Sequence, residues 1–366
     1  MNIDASMEER AVMSVMQTGL SRKKIKSVLE VCSTISRMYW NFEDFKTDVV
    51  KIVGEDGFNE IYTALSDEMT FKVARDLDAK GITAITYNSP LYPEALKHID
   101  DNPLILYAKG DVSLLSDANL IGIVGTRRPS RYGREVAEDF VTNLSKNGLI
   151  TVSGLAYGID SVVAESTIKA DGKTIAVLGG GLDEIYPASN TNLAEEIIAT
   201  GGLLLSEYAP NERPTQFTFP ERNRIISGIS RGVLIIEAGA KSGSLITANF
   251  AIEQGKDIFI VPANVNSVQS EGSNNLLYQM PHCLVLSADN ILQEWDIEKQ
   301  ETESETQNLQ LTIEEQMVYD FLMDDDRHFD DLLEHTKLKP SELSSLLTEM
   351  EMMGIIKRTS GNYYGI

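Results

Sequence analysis

Residues 120–154 read LIGIVGTRRPSRYGREVAEDFVTNLSKNGLITVSG. The run LIGIV is apolar at almost every position and ends at Gly125. A basic loop follows, then a helical stretch closing on Gly148, then a second apolar run, LITV. Apolar runs without alternation suit parallel strands covered on both faces. The same unit recurs downstream, with KTIAVLGG, GLLLSEY, RGVLIIEA and DIFIVPA as further strands and CLVLSA as a seventh. SVVAESTIKADG, NLAEEIIATGG and LITANFAIEQGK supply helices between them. Gly148, Gly172 and Gly255 stand where a left-handed C-terminal cap is expected. This βα rhythm predicts an α/β, Rossmann-like, doubly wound and mostly parallel sheet over residues 119–295.

Outward from that core, residues 1–118 read as a helical domain with a connector. Ile25, Val28, Leu29 and Cys32 share one helical face behind Ser21 as an N-cap. Gly54, Gly57 and Gly81 mark breaks, and Pro90 and Pro93 end regular structure. Residues 296–310, DIEKQETESETQNLQ, are acidic and aperiodic and read as a linker. Residues 311–366 hold three helical stretches, with Leu343, Leu346, Leu347 and Met350 on one face of the last. A final hairpin turning at Ser360–Gly361 completes a winged-helix pattern.

Length and charge bound the function. A chain of 366 residues implies two or three domains. The net charge of −23 argues against a uniformly basic nucleic-acid binder. That charge is unevenly spread: −6 over residues 1–118, −5 over 119–290 and −12 over 291–366. Two cysteines, Cys32 and Cys283, make neither a disulfide framework nor a four-thiolate zinc site. No metal or cofactor motif is present, neither GxGxxG nor Walker A. With no signal-peptide pattern at the start and no membrane-length apolar run, the expectation is a soluble cytoplasmic protein.

In a doubly wound sheet, ligands bind beyond the carboxyl ends of the strands. The first such loop carries Gly125, Thr126, Arg127, Arg128, Ser130, Arg131 and Gly133 at a helix start, a place suited to anions. The same loop is otherwise a tight turn with solvated arginines. The second carries Ser153, Gly154, Tyr157 and Gly158, with Asp160 able to order it. The third carries Gly179, Gly180 and Gly181, which either expose backbone to a ligand or make a sharp turn. A later stretch places Phe217 and Phe219 beside Arg222, Asn223 and Arg224, a composition that stacks bases and clamps phosphates. Alternatively, the aromatics plug the core and the arginines pair with Glu221 and Glu212. The last carries Lys241, Ser242, Gly243 and Ser244, an oxyanion nest or simply a helix cap. The four histidines lie outside all these loops. Many donors and few general bases suit binding more than catalysis.

These residues resemble one family, DNA processing protein A (DprA, also called Smf). The likeness rests on GIVGTRRPSRYG, TVSGLAYGID, TIAVLGGGLDEIYP, LLSEYAP, FPERNRIISGIS and EAGAKSGSLITANFAIEQGKDIFIVPAN, which cover most of 119–290 in the family's order. The resemblance implies a non-enzymatic, dimeric, single-stranded DNA-binding mediator that protects incoming DNA and loads the RecA recombinase during natural transformation. It implies a sterile-alpha-motif-like N-terminal domain and a winged-helix tail. By position, Arg127 is the foremost phosphate contact, with the SGLA loop, Phe219–Arg224 and Lys241–Ser244 along the same strand. The family often has Lys or Arg where this chain has Tyr157. Ala263 stands where glycine is usual, and Met280–Pro281 where Gly-Ala is usual. Leu276, Leu277, Tyr278 and Met280 are the candidates for the dimer or RecA-facing surface, or else ordinary helix burial.

Two other readings stay open on the residues. One is an enzyme of the related nucleotide phosphoribohydrolase type, using Glu237 and Asp183, although the PGGxGTxxE pattern is missing. The other is an interaction module dominated by its winged helix, whose third helix offers no Lys or Arg to a DNA groove.

Overall fold

The computed structural model describes residues 2–299, 311–323, 325–353, 355–359 and 361–365. The linker expected at 296–310 lies mostly outside the described residues, as does Ser360 of the expected turn. The chain divides into two compact units, residues 1–300 and 301–366, each with its own core.

The first unit opens with five helices: α1 (Met7–Val15), α2 (Arg22–Cys32), α3 (Ile35–Trp40), α4 (Lys46–Ala64, interrupted at Gly54) and α5 (Asp67–Ala79). Ile25, Val28 and Cys32 are buried together as their spacing predicts, but Ser21 makes no side-chain cap. Strand β1 (Thr83–Thr86) follows, then α6 (Glu94–Lys97) and β2 (Ile105–Gly110). These two strands correct the reading of residues 1–118 as helical. They extend the main sheet as its antiparallel edge, β1 on β2 and β2 on β6.

The core then alternates: β3 (Leu120–Val124), α7 (Arg131–Lys146), β4 (Ile150–Ser153), α8 (Ile159–Lys169), β5 (Thr174–Val177), α9 (Thr191–Ala199) and β6 (Leu203–Ser206). It continues with α10 (Thr218–Ile229), β7 (Gly232–Ile235), α11 (Ser244–Glu253), β8 (Asp257–Ile260), α12 (Glu271–Gln279) and α13 (Ala288–Glu294). The sheet order is β1-β2-β6-β5-β4-β3-β7-β8, and every pair from β6 to β8 is parallel. Alternation sorts the core. Ile121 and Ile123 face α7, α8 and α13, whereas Leu120 and Val124 face α10 and α11. The chain winds from β3 through β6 in one direction and resumes at β7 on the other side of β3. That reversal puts the ligand crevice beside the loops after β3 and β7.

Two expectations need correction. CLVLSA does not form a strand: Pro281–Cys283 is a short 3-10 turn, and only one bridge, Ile260 to Leu284, reaches the sheet. After α8, Asp171 (φ 55°) takes the left-handed position rather than Gly172, while Gly148 and Gly255 do take it. Gly172 is needed for space, since a Cβ there would sit 2.7 Å from the Cβ of Ser145.

The second unit contains α14 (Ile313–Leu322), β9 (Arg327–His328), α15 (Phe329–Thr336), α16 (Pro340–Met352), β10 (Lys357–Thr359) and β11 (Tyr363–Gly365). Leu343, Leu347 and Met350 are buried against Val318 and Leu332, and β11 pairs with β10 and β9. This is the winged-helix pattern with one strand more than the hairpin expected.

Candidate nucleic-acid interface

A cleft of about 1490 Å³ opens beyond the strand ends, at the crevice the topology dictates. The loop after β3 contributes Gly125, Thr126, Arg127 and Arg128, and the loop after β4 contributes Tyr157. Phe219, Arg222 and Asn223 come from α10. Lys241, Ser242, Gly243 and Ser244 come from the loop after β7. The Arg127 guanidinium lies 5.7 Å from the centre of the Phe219 ring, a cation over an aromatic face. Tyr157 and the neighbouring Arg128 are exposed. Ser242 and Ser244 share a 2.7 Å hydrogen bond between hydroxyls, and Asn223 donates to the Gly243 carbonyl at 3.3 Å. The α10 and β7 walls are thereby tied together.

Several residues grouped with these in the sequence serve the scaffold instead. Arg224 is 6% exposed and forms two 2.7 Å hydrogen bonds with the Glu207 carboxylate. It is therefore no phosphate contact, and its partner is Glu207 rather than Glu221 or Glu212. Arg222 borders the cleft but is 4% exposed, and its guanidinium donates to the carbonyls of Gly154 (2.9 Å) and Val177. It pins the ends of β4 and β5 to the cleft floor. Burial, partly offset by Asp160, pushes Arg222 down to about 10. The Asp160 carboxyl is raised by burial, with Arg222 opposing, and it accepts from the Ala156 amide at 3.3 Å, so it orders its loop.

Ser130 caps α7 by accepting from Gly133 N–H, and its own N–H and hydroxyl donate to Glu237 at 2.8 and 2.7 Å. Gly133 has no room for a side chain, since a Cβ would lie 2.3 Å from a Glu237 oxygen. Arg131 pairs with Glu135 outside the cleft. Ser153 is buried and donates to the Ile123 carbonyl at 2.8 Å. Gly154 lies against the Arg222 guanidinium, and Gly158 closes the junction between the first two loops. The triple glycine does not expose backbone. Gly179 is covered by Phe219, Gly180 by Pro214 and Gly181 by the Ala209 carbonyl. Each of these turns the loop inward for close packing rather than outward to a ligand.

The carboxylates bear on the enzymatic alternative. Glu237 is 1% exposed and also accepts from Ser270, while Asp183 is ion-paired with Lys80. Neither lines the cleft. Among the described residues, no three His, Cys, Asp or Glu side chains gather as metal ligands, and no helix is long and apolar enough to cross a membrane.

Part of the cleft wall carries little signal in the sequence. Arg213 and Gln216 line it, as does Tyr186, whose ring centre lies 5.4 Å from that of Phe219. Arg213 and Gln216 sit in the long connection before α10, which has neither periodicity nor motif. Tyr186 follows the triple glycine, and only its position at a strand end signals it.

Leu276, Leu277 and Met280 on and after α12 are half-buried against the core, whereas Tyr278 is 88% exposed. All four therefore keep part of their surface open.

The sheet, its strand-end cleft and the tail define a Rossmann-like protein with a C-terminal winged helix. Residues 83–296 match the family model for DNA recombination-mediator protein A, and residues 302–362 match that for the DprA winged helix domain. The chain belongs to the DprA family of DNA-processing recombination mediators. DNA processing protein DprA of Bacillus subtilis (strain 168) is 44% identical over 215 residues, 59% of this chain and 72% of that protein. DprA of Streptococcus pneumoniae is 35% identical over 288 residues, 78% of this chain and 97% of the relative. The X-ray structure of the S. pneumoniae protein superposes with a TM-score of 0.65 at 34% identity, covering 78% of this chain and 97% of that one. A Helicobacter pylori DprA, solved for its single-stranded DNA binding mode, gives 0.54 at 32% identity, covering 59% and 97%.

Proposed function

We propose that the chain is a non-enzymatic mediator that binds single-stranded DNA in the strand-end cleft. The observation that carries this reading is Arg127, exposed at the cleft and set over Phe219. A cation beside a half-buried ring at the cleft offers one group to a phosphate and one to a base, with little sequence preference. Arg128 and Lys241 add charge along the same cleft. The H. pylori relative's single-strand binding supports the assignment.

On this reading the protein works in the cytoplasm as a homodimer, protects incoming DNA during natural transformation and hands it to the RecA recombinase. Tyr278, on the outward side of α12, is its leading contact to a second copy or to RecA. Domain roles follow: a helical N-terminal domain, the core to residue 295, the linker 296–310, and the winged helix 311–366.

The test is a mobility-shift titration of single-stranded against duplex DNA across a salt series. Single-strand affinity is expected to be the higher and to fall as salt rises. Arg127→Glu is expected to weaken it by about tenfold or more, the order of one lost charge contact plus its repulsive replacement. Unchanged binding by that variant would remove the cleft from the reading. A RecA-loading assay alongside tests the second half.

A further inference from the structure

The two aromatics that meet in the cleft, Tyr186 and Phe219, are 5.4 Å apart at 44° and come from different segments. Tyr186 lies near the end of the loop after β5, and Phe219 is the second residue of α10. Each segment is gripped from outside the sheet by a cation of the N-terminal helices. Lys80, just after α5, pairs with Asp183, three residues before Tyr186. Arg22, the first residue of α2, reaches Glu221, two residues after Phe219, at 2.9 Å. The same guanidinium reaches Glu212 at 3.4 Å and Glu207 at 3.9 Å, and it covers the Tyr208 ring at 4.0 Å. The two gripped segments are also joined directly: Gly181 N–H donates to the Glu212 carbonyl and Asp183 N–H to the Pro210 carbonyl, both at 2.8 Å.

We propose that the N-terminal helical region clamps the base-facing wall of the cleft, with Arg22 and Lys80 as positioning residues for Tyr186 and Phe219. This rests on the reading of the cleft as a single-strand site. Partly exposed ion pairs contribute little to stability, so the pairs matter more for where they hold the chain. Without Arg22, Glu212 and Glu221 face one another unneutralised while Glu207 keeps Arg224, and like charges push the connection after β6 away from α10. Without Lys80, the Tyr186 loop keeps its backbone bonds to residues 210–212, the Ser206 hydroxyl on the Gly180 carbonyl and the Glu184–Arg213 pair at 3.7 Å, but loses its ion pair to the N-terminal helices. Either loss changes the gap between the rings, and stacking needs a base to lie flat against a ring.

The test uses the full chain and two probes of equal phosphate count, a thymidine homopolymer and an abasic strand. Affinity is read by fluorescence anisotropy across a salt series. Wild type is expected to prefer the base-bearing strand by about tenfold or more, the order of one stacked base. In Arg22→Ala with Lys80→Ala, that preference is expected to shrink severalfold. The abasic affinity and the salt slope, which count phosphate contacts, are expected to stay. Arg22→Lys should recover part of the preference, and exchanging the charges of Lys80 and Asp183 should do the same for the Lys80→Ala loss. An unchanged preference in the double variant overturns the clamp. So does an equal loss on both strands, which is general damage. A wild type that binds without base preference overturns the clamp alone. A wild type that binds neither strand removes the single-strand reading and the clamp with it.

Discussion

Arg127 and Arg224 look alike in the sequence, each in a basic stretch that follows an apolar run. Their neighbours separate them. Arg224 is buried with its charge matched by Glu207 through two short bonds, so removing one partner strands the other in the interior. Arg224→Ala is expected to cost about 3–5 kcal/mol in urea unfolding. Arg224→Met combined with Glu207→Leu should recover much of that loss, because both charges leave together. Arg127 is exposed, and its replacement should leave the unfolding midpoint within the small range of surface changes. A destabilised Arg127 variant, or a fully stable Arg224→Ala, would reverse these assignments. Asp160 allows a pH test. Its carboxyl is raised above the ordinary 3.8 by burial, so the folded chain holds that proton more tightly than the unfolded chain. Stability from this group is therefore greatest in acid and declines as pH rises above 3.8 toward the folded value. In Asp160→Asn that slope should be missing from a pH series of unfolding free energies, and a variant curve parallel to wild type would refute the shift.

At the scale of elements, the strongest local demand is the junction between the loop after β3 and the start of α8. Gly158 has φ 81°, and a Cβ there would lie 2.3 Å from the Thr126 carbonyl. That carbonyl accepts from Ile159 N–H at 3.2 Å. Gly158→Ala therefore meets both a left-handed backbone and a clash, and should lower stability by roughly 1–3 kcal/mol. Since the displaced chain carries Thr126 and Arg127, DNA affinity should fall with it, whereas Gly243→Ala, with open space at its Cβ, should change stability far less. Equal unfolding midpoints for the two variants would contradict this. The six parallel strands were legible because burial on both faces writes continuous apolar runs such as LIGIV. Strands β1 and β2 were not. TAIT is a short edge segment, and the prolines after it carry the stronger signal. CLVLSA failed for the opposite reason: it is apolar, but Leu286 projects into solvent and Ser287 opens α13, so the chain leaves the sheet after one bridge. In the site, strand-end position found Arg127, Tyr157 and Lys241. It could not distinguish Arg224, because Glu207 lies seventeen residues away and only the fold brings them together.

At the scale of the whole molecule, the net charge of −23 and a cationic cleft coexist because basic residues of the core, Arg127, Arg128, Arg213 and Lys241, gather at the strand ends while the tail holds a disproportionate share of the acid. Residues 301–366 carry 5 basic and 15 acidic residues, a net of −10, which leaves −13 on residues 1–300. Among the described residues, the tail has a hydrophobic core of its own, from Val318 to Tyr364. Removing residues 301–366 should therefore leave the larger unit folded, with its cooperative unfolding transition intact. The tail's charge can act on DNA through space. Its repulsion reaches about a Debye length, roughly 8–10 Å near physiological salt and farther in dilute buffer. Truncation should then tighten single-strand binding at low salt, and the gain should fade as salt rises. The salt slope of the truncated protein should be the steeper, because added salt then relieves less repulsion. If truncation instead weakens binding at every salt concentration, the tail contributes contacts of its own. A gain that persists at high salt would mean that it occludes the DNA sterically rather than by charge.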